Sequence, residues 1–361
     1  MNTFGKLLTL TSFGESHGEA VGGVLDGFPA GIRIHMDFLQ EALTRRSPMQ
    51  QAGSGRKEPD SVEFLSGVYE GVSLGSPIAF LIRNQDAHSG DYAALKHLFR
   101  PAHADDTYFH KYGVRDERGG GRASARETAV RVAGGALAEM FLKQLCERQG
   151  APEIEIHAYT KQIGTVCLPD EAENALDMAE IYTSPTRCPH EETDRKMQEV
   201  LKQCREEKDS TGGVVRCVVK NMPRNLGEPI YDKLSARLAG AMLGINAARG
   251  FEIGMGFDAA AQKGSVHNDT WREDGNTTHN YAGGVRGGIS TGEALTFNVA
   301  FKPIPSLMRE QTLLREDGKL ENITLTGRHD VCCVPRAVSV VKAMTALVLA
   351  DFTLLDRCSR L

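Results

Sequence analysis

The run from Arg115 to Arg126 sets Gly119, Gly120 and Gly121 among the arginines Arg115, Arg118, Arg122 and Arg126, and passes through Ser124-x-x-Glu127, the form of a helix capping box. Backbone N–H groups left free at a helix start, together with flanking guanidiniums, favour an anion such as a phosphate. The same run would also serve as a flexible loop beside an ordinary N-cap. Its spacing is neither G-x-x-x-x-G-K-[ST] nor G-x-G-x-x-G, so a P-loop or a dinucleotide-binding fold is disfavoured.

Two histidines stand in turns of similar character. His17 lies in Gly14-Glu15-Ser16-His17-Gly18-Glu19, and His103 lies in Arg100-Pro101-Ala102-His103-Ala104-Asp105. A loop histidine is most often simply solvated, but two of them near arginines suit general acid work on a phosphorylated molecule. Gly327-Arg328-His329-Asp330 precedes an apolar helix opened by Pro335, where Asp330 reads either as a site carboxylate or as a salt bridge at the helix start. Arg45-Arg46 closes a predicted helix and would complement its dipole as readily as bind a ligand.

The elements that must hold these residues read as a mixture. Short apolar runs, Leu7 to Leu10 and Ala20 to Leu25, predict two strands around the His17 turn. A helix follows from Asp37 to Arg46, then a loop from Ser47 to Asp60, then β pattern over Val62 to Leu65 and Pro77 to Ile82. Further helices are predicted from Ser124 to about Cys146, from Tyr231 to Ala248 and from Arg336 to Leu355, with a charged surface helix from Glu191 to Glu207. Residues 131–137 are faintly echoed by residues 237–243, which raises an internal duplication without a fixed repeat period. Strands and helices alternate without regular βαβ spacing, so the class is α+β.

Composition narrows the setting. The 361 residues are 41% hydrophobic and 25% charged, which is globular usage, and 38 glycines ask for turns and close backbone approaches. A net charge of −5 gives no whole-chain attraction to nucleic acid or an anionic membrane, so anions must be bound by local basic clusters. No apolar stretch is read as a membrane span, and the first residues lack a targeting pattern, which predicts a cytoplasmic protein. The eight cysteines are scattered with no C-x-x-C pair, so they read as reduced thiols.

Taken together and in order, Gly14 to Gly18, Arg100 to Asp105, Lys111-Tyr112-Gly113, Arg118 to Thr128, Gly244 to Ala247 and Arg328-His329-Asp330 resemble the motifs of the chorismate synthases, from Phe4 to about Leu355. The resemblance implies one domain over residues 1–361, a layered β-α-β sandwich with helices packed between antiparallel sheets, and a homotetramer. It implies an anti 1,4-elimination of phosphate from 5-enolpyruvylshikimate 3-phosphate (EPSP) by a lyase that uses reduced FMN with no net redox change. By position, His17 resembles the acid for the departing phosphate, His103 the group that protonates or stabilises reduced flavin, and Asp330 the base for the flavin ring nitrogen, with Ser16 and Ser124 as proton relays. The match gives Arg45, Arg46, Arg100, Arg126 and Arg328 to the substrate. It gives Arg122, Ala123, Ser124, Asn246, Ala247, Gly287, Lys302, Ser306 and Arg328 to the flavin.

The sequence departs from the family pattern in places. Ala102 stands for a usual Gly, Ala123 for a usual Ser and Asp106 for a usual aromatic, while Ile304-Pro305 alters a stretch usually Lys-Pro-Thr-Ser-Ser. Family members differ in whether they reduce their own flavin with NADPH; without a dinucleotide motif, an external flavin reductase is the expected source. Two other readings remain, a flavin or nucleotide phosphotransferase needing a metal-binding carboxylate pair, and an anion-binding module without turnover.

Overall fold

In a computed structural model, residues 1–47, 60–85, 95–324 and 330–359 are described. Of the predicted run Leu7 to Leu10 only Thr9 and Leu10 lie in a strand, β2 (Thr9–Phe13), which pairs antiparallel with β3 (Ala20–Asp26) across the His17 turn in a sheet ordered β1-β2-β3-β7-β4. Its other strands are β1 (Thr3–Phe4), β4 (Glu63–Phe64) and β7 (Ile78–Arg83), with the hairpin β5 (Val68–Tyr69) and β6 (Val72–Ser73) between the last two. Alternation selects the buried face: Val21 and Leu25 on β3 and Ile78, Phe80 and Ile82 on β7 are all fully buried.

A second antiparallel sheet, ordered β10-β9-β11-β15-β12, joins β9 (Glu155–Ile163), β10 (Val166–Cys167), β11 (Gly213–Lys220), β12 (Ala248–Ile253) and β15 (Leu295–Phe301). A hairpin of β13 (Val285–Arg286) and β14 (Ile289–Ser290) precedes its fourth strand, and a small sheet pairs β8 (Leu98–Phe99), β16 (Glu310–Arg315) and β17 (Leu320–Thr324). The helices are α1 (Met36–Arg46), α2 (Asp105–Tyr112), α3 (Thr128–Gln149), α4 (Glu191–Glu206), α5 (Leu234–Leu243), α6 (Gly264–His267) and α7 (Val334–Asp356). Helix α3 packs on β2 and β3, α7 packs on β9 and β11, and the two helices pack on each other.

Small residues let α3 and α7 meet backbone to backbone. A Cβ built on Gly135 would lie 2.4 Å from the Cβ of Ala343 and 2.6 Å from its carbonyl oxygen. One apolar cluster runs from Leu8 to Phe352 through both sheets and these helices. Asp351, fully buried on α7, accepts the backbone N–H groups of Lys6, Leu7 and Leu8 at 2.8–2.9 Å and an N–H of Arg237 at 2.8 Å, so the segment before β2 is tied to α7.

Four expectations change. The helix predicted from Ser124 begins as a tight 3-10 turn at 125–127, and α3 starts at Thr128. Ser124 does cap, accepting from the Arg126 N–H, but Glu127 pairs with Arg131 and does not complete a capping box. Helix α5 spans Leu234–Leu243 and not Tyr231 to Ala248, because Ala247 adopts φ 66° and Ala248 opens β12. Finally, α7 is long and apolar enough to cross a membrane by length and composition, contrary to the sequence reading, yet 78% of that stretch is buried within the fold.

Candidate active site

The His17 turn is held open by hydrogen bonds to its backbone. Gly14 enters it at φ 90°, and the side-chain amide of Asn84, just past β7, donates to the carbonyls of Glu15 (3.1 Å) and Gly18 (2.9 Å). Arg122 donates to the carbonyls of Gly14 (3.2 Å) and Ser12 (3.2 Å) and to the Ser12 hydroxyl (2.6 Å). The glycine loop then closes over the turn: a Cβ on Gly119 would sit 2.5 Å from His17 Cδ2, 3.0 Å from its Nε2 and 3.2 Å from Ser16 Oγ. Only glycine fits there, so His17 and Ser16 lie directly against the arginine-rich loop.

Behind this turn two arginines share one acid. Asp60 receives Arg46 at 2.6 Å on Oδ2 and Arg126 on Oδ1, and all three are buried. Arg126 also donates to the Asn84 side-chain oxygen (2.7 Å) and the Arg83 carbonyl (3.1 Å), so Asn84 links the His17 turn to this cluster. Burial alone would raise the Asp60 carboxyl, but the two guanidiniums outweigh it and hold it below the usual range. Burial pulls Arg46 down to about 10, which leaves it charged at neutral pH. Two cations on one carboxylate leave one net positive charge, and the Arg46 Nε has no partner among the described residues.

The His103 loop stands on a second buried ion pair. Asp105 accepts from Arg100 Nε (2.8 Å), Arg100 NH2 (2.9 Å) and the Arg100 N–H (3.1 Å), and lies 2.8 Å from His103 Nδ1. Burial would raise this carboxyl, but hydrogen bonds from Arg100 and His103 hold it far below the usual range. Ala102 takes φ 55° and its carbonyl accepts the Lys302 ammonium, while Ala247, also left-handed, accepts the Lys302 N–H at 3.0 Å. Two strained alanines thus converge on one residue at the end of β15, the kind of strain that gathers at functional sites. Burial lowers the Lys302 ammonium, and Arg249 beside it acts in the same direction.

Asn246 donates to the Ala123 carbonyl at 2.8 Å, while its side-chain oxygen is buried without a partner among the described residues. Gly287 turns at φ 62° with nothing within 4 Å of where a Cβ would be, and Ser306 is buried. Asp330 binds Arg336 at 3.0 Å through Oδ2, while its buried Oδ1 has no partner among the described residues. Arg45 pairs with Glu41 (2.6 Å) and stacks over Tyr182 at 4.1 Å.

Arg46, Arg126, Ser124, Ser16, His17 and Arg122 are therefore brought together, as are His103, Arg100, Lys302, Asn246, Ala247 and Ala123. Arg328 lies outside the described residues, as does most of the loop from Ser47 to Asp60. The sequence reading missed Asp60, Asn84, Arg336 and the use of Asp105 as a partner. Asp105 had a signal, an acid two residues from His103 and five from Arg100; Asp60 and Asn84 are single polar residues in loops, which spacing does not single out.

A family model described as chorismate synthase matches residues 8–354. A chorismate synthase of Phocaeicola vulgatus is 49% identical over 364 residues, covering 100% of this chain and 99% of its own, and that of Porphyromonas gingivalis is 50% identical, covering 100% and 97%. A solved structure titled "Crystal Structure of Chorismate Synthase" superposes with a TM-score of 0.76 at 32% identity, covering 98% of this chain and 93% of that one.

Proposed function

This chain belongs to the chorismate synthase family and is a lyase of the shikimate pathway, eliminating phosphate from EPSP to give chorismate; on that premise we propose that the elimination takes place between the His17 turn, the Asp60 arginine pair and the His103 loop. The carrying observation is the contact of His17 and Ser16 with Gly119, which sets a proton donor against the anion-binding loop. His17 gives its proton to the phosphate as it leaves, with Ser16 and Ser124 as relays, and the net charge of Arg46 and Arg126 receives the anion together with Arg45, Arg100 and Arg328.

The cofactor reading is reduced FMN. The residues fit such a group: among the described residues the buried Asn246 oxygen lacks a donor, Gly287 leaves open space, and Asp330 keeps one buried oxygen unpaired. When bound, reduced FMN supplies electron density that helps expel phosphate and takes up the departing hydrogen, with no net redox change. Asn246, Ala247, Lys302, Ser306, Gly287, Ala123, Ser124, Arg122 and Arg328 would hold it, His103 would stabilise its reduced form, and Asp330 would serve as the base beside its ring.

We read the chain as one domain, supported by the large apolar cluster that runs through both main sheets, and as a layered sandwich, supported by α3 packing on the first sheet and α7 on the second. A homotetramer fed by an external flavin reductase completes the proposal. Anaerobic incubation with EPSP and chemically reduced FMN tests it: phosphate and chorismate appear together in equal amounts. Binding of EPSP without either product overturns it.

A further inference from the structure

A 2.8 Å contact between His103 Nδ1 and Asp105 Oδ1 requires a proton between them, since two acceptors at that distance repel. Asp105 cannot supply it, because its carboxyl is also gripped by three N–H groups of Arg100 and approached by Arg115 at 3.9 Å. The proton therefore belongs to His103 Nδ1. The Arg100 NH2 that lies 3.2 Å from the same nitrogen carries two hydrogens and gives one to Asp105 Oδ1 at 2.9 Å; were Nδ1 to accept the other, it would face Oδ1 at 2.8 Å as a second acceptor. His103 itself is held by a turn from its N–H to the Arg100 carbonyl and by Lys302 drawing on the Ala102 carbonyl just before it.

We propose that Asp105 is a positioning residue that fixes His103 in the Nδ1–H tautomer, so that Nε2 is the atom presented to the bound ligand. The proposal rests on the reading of His103 as a cofactor-side residue only for what Nε2 meets; the tautomer itself follows from the loop. A second-partner carboxylate of this kind sets which ring nitrogen works, as it does for histidines that bind metals or activate nucleophiles.

Asp105→Asn tests it with a built-in sign. The amide turns its oxygen toward the two donors Arg100 N and Nε, because its NH2 would oppose both of them there and opposes only the Arg100 NH2 in the Oδ1 place. Its NH2 then faces His103 Nδ1, which becomes an acceptor, and the proton moves to Nε2.

Histidine 15N NMR of the full chain without flavin at mildly alkaline pH reads this directly, with His103 assigned by loss of its signals in His103→Gln. The parent shows Nδ1–H, Asp105→Asn shows mainly Nε2–H, and anaerobic kcat falls roughly tenfold or more while the EPSP KM stays within about twofold. An Nε2–H tautomer in the parent, or an unchanged tautomer in a folded Asp105→Asn, overturns the proposal; should the variant not fold, the parent tautomer decides alone. If the tautomers behave as stated but reduced FMN shifts no His103 signal, the cofactor assignment of His103 falls and the role of Asp105 stands.

Discussion

His17 depends on Asn84 and Arg122, which bind the backbone of its turn, and on Gly119, which lies against the Cδ2 and Nε2 edge of its ring, so its position and its chemistry are separable by mutation. His17→Ala is expected to lower turnover roughly a hundredfold with flavin binding unchanged, measured as anaerobic kcat and a flavin titration. Gly119→Ala leaves every titratable group in place but puts a methyl 2.5 Å from the imidazole. It should cost at least tenfold in rate with a melting temperature within a few degrees of the parent, and normal turnover would show that the loop moves aside at no cost. Asp330→Asn separates the observed pairing with Arg336 from the proposed role as a base: a purely structural carboxylate would lose melting temperature with normal turnover, whereas a proton acceptor is expected to lose turnover with the melting temperature nearly unchanged. At this scale the histidines and the arginine-rich loop are legible because arginines and glycines crowd into one run and each histidine stands in a short polar turn. Asp60 and Asn84 were not, since what they do is bridge segments far apart in sequence, and a polar residue in a loop has no period to betray it.

The helices were legible where composition and ends agreed. Helices α1, α4 and α7 begin and end within two residues of expectation, because their stop signals are local. Helix α5 was overextended, since an Ala-rich run reads as helix whether or not a left-handed alanine ends it. The second sheet escaped notice: β11, Gly213–Lys220, carries valines on both faces and so lacks clean alternation. Its position is set instead by α7, and the contact of α7 with α3 is itself sensitive. Gly135→Ala would drive a methyl into the Ala343 backbone, so a loss of about 2 kcal/mol or more in unfolding free energy is expected from urea denaturation. Ala343→Gly in the same chain should restore part of it by giving back the space.

For the molecule as a whole, two buried carboxylates contribute to the acid response. The folded-state pKa values of Asp60 and Asp105 lie below their ordinary values near about 3.9, so the stability they contribute is complete above that pH and is lost as pH falls below it. The gap in urea midpoint between the parent and Asp60→Asn is therefore expected to be constant from about pH 7 to 5 and to close below about pH 4; a gap that widens on acidification would contradict the ion-pair account. Thiol accessibility gives a second check. Cys167 and Cys358 are exposed and should react with a disulfide reagent in the native state, whereas Cys146, Cys188, Cys217 and Cys332 should react only on unfolding. Cys333, which burial pushes up to about 12, should lag as well. The knot of Asp351 with the N–H groups of Lys6, Leu7 and Leu8 has a consequence in time. A ribosome makes residues 6–8 more than 340 residues before their acceptor, so those three donors stay unmatched through most of translation. The first sheet can pair early, but its leading edge locks only when α7 has been made, and a nascent chain released before that point leaves this edge as a handhold for chaperones and proteases.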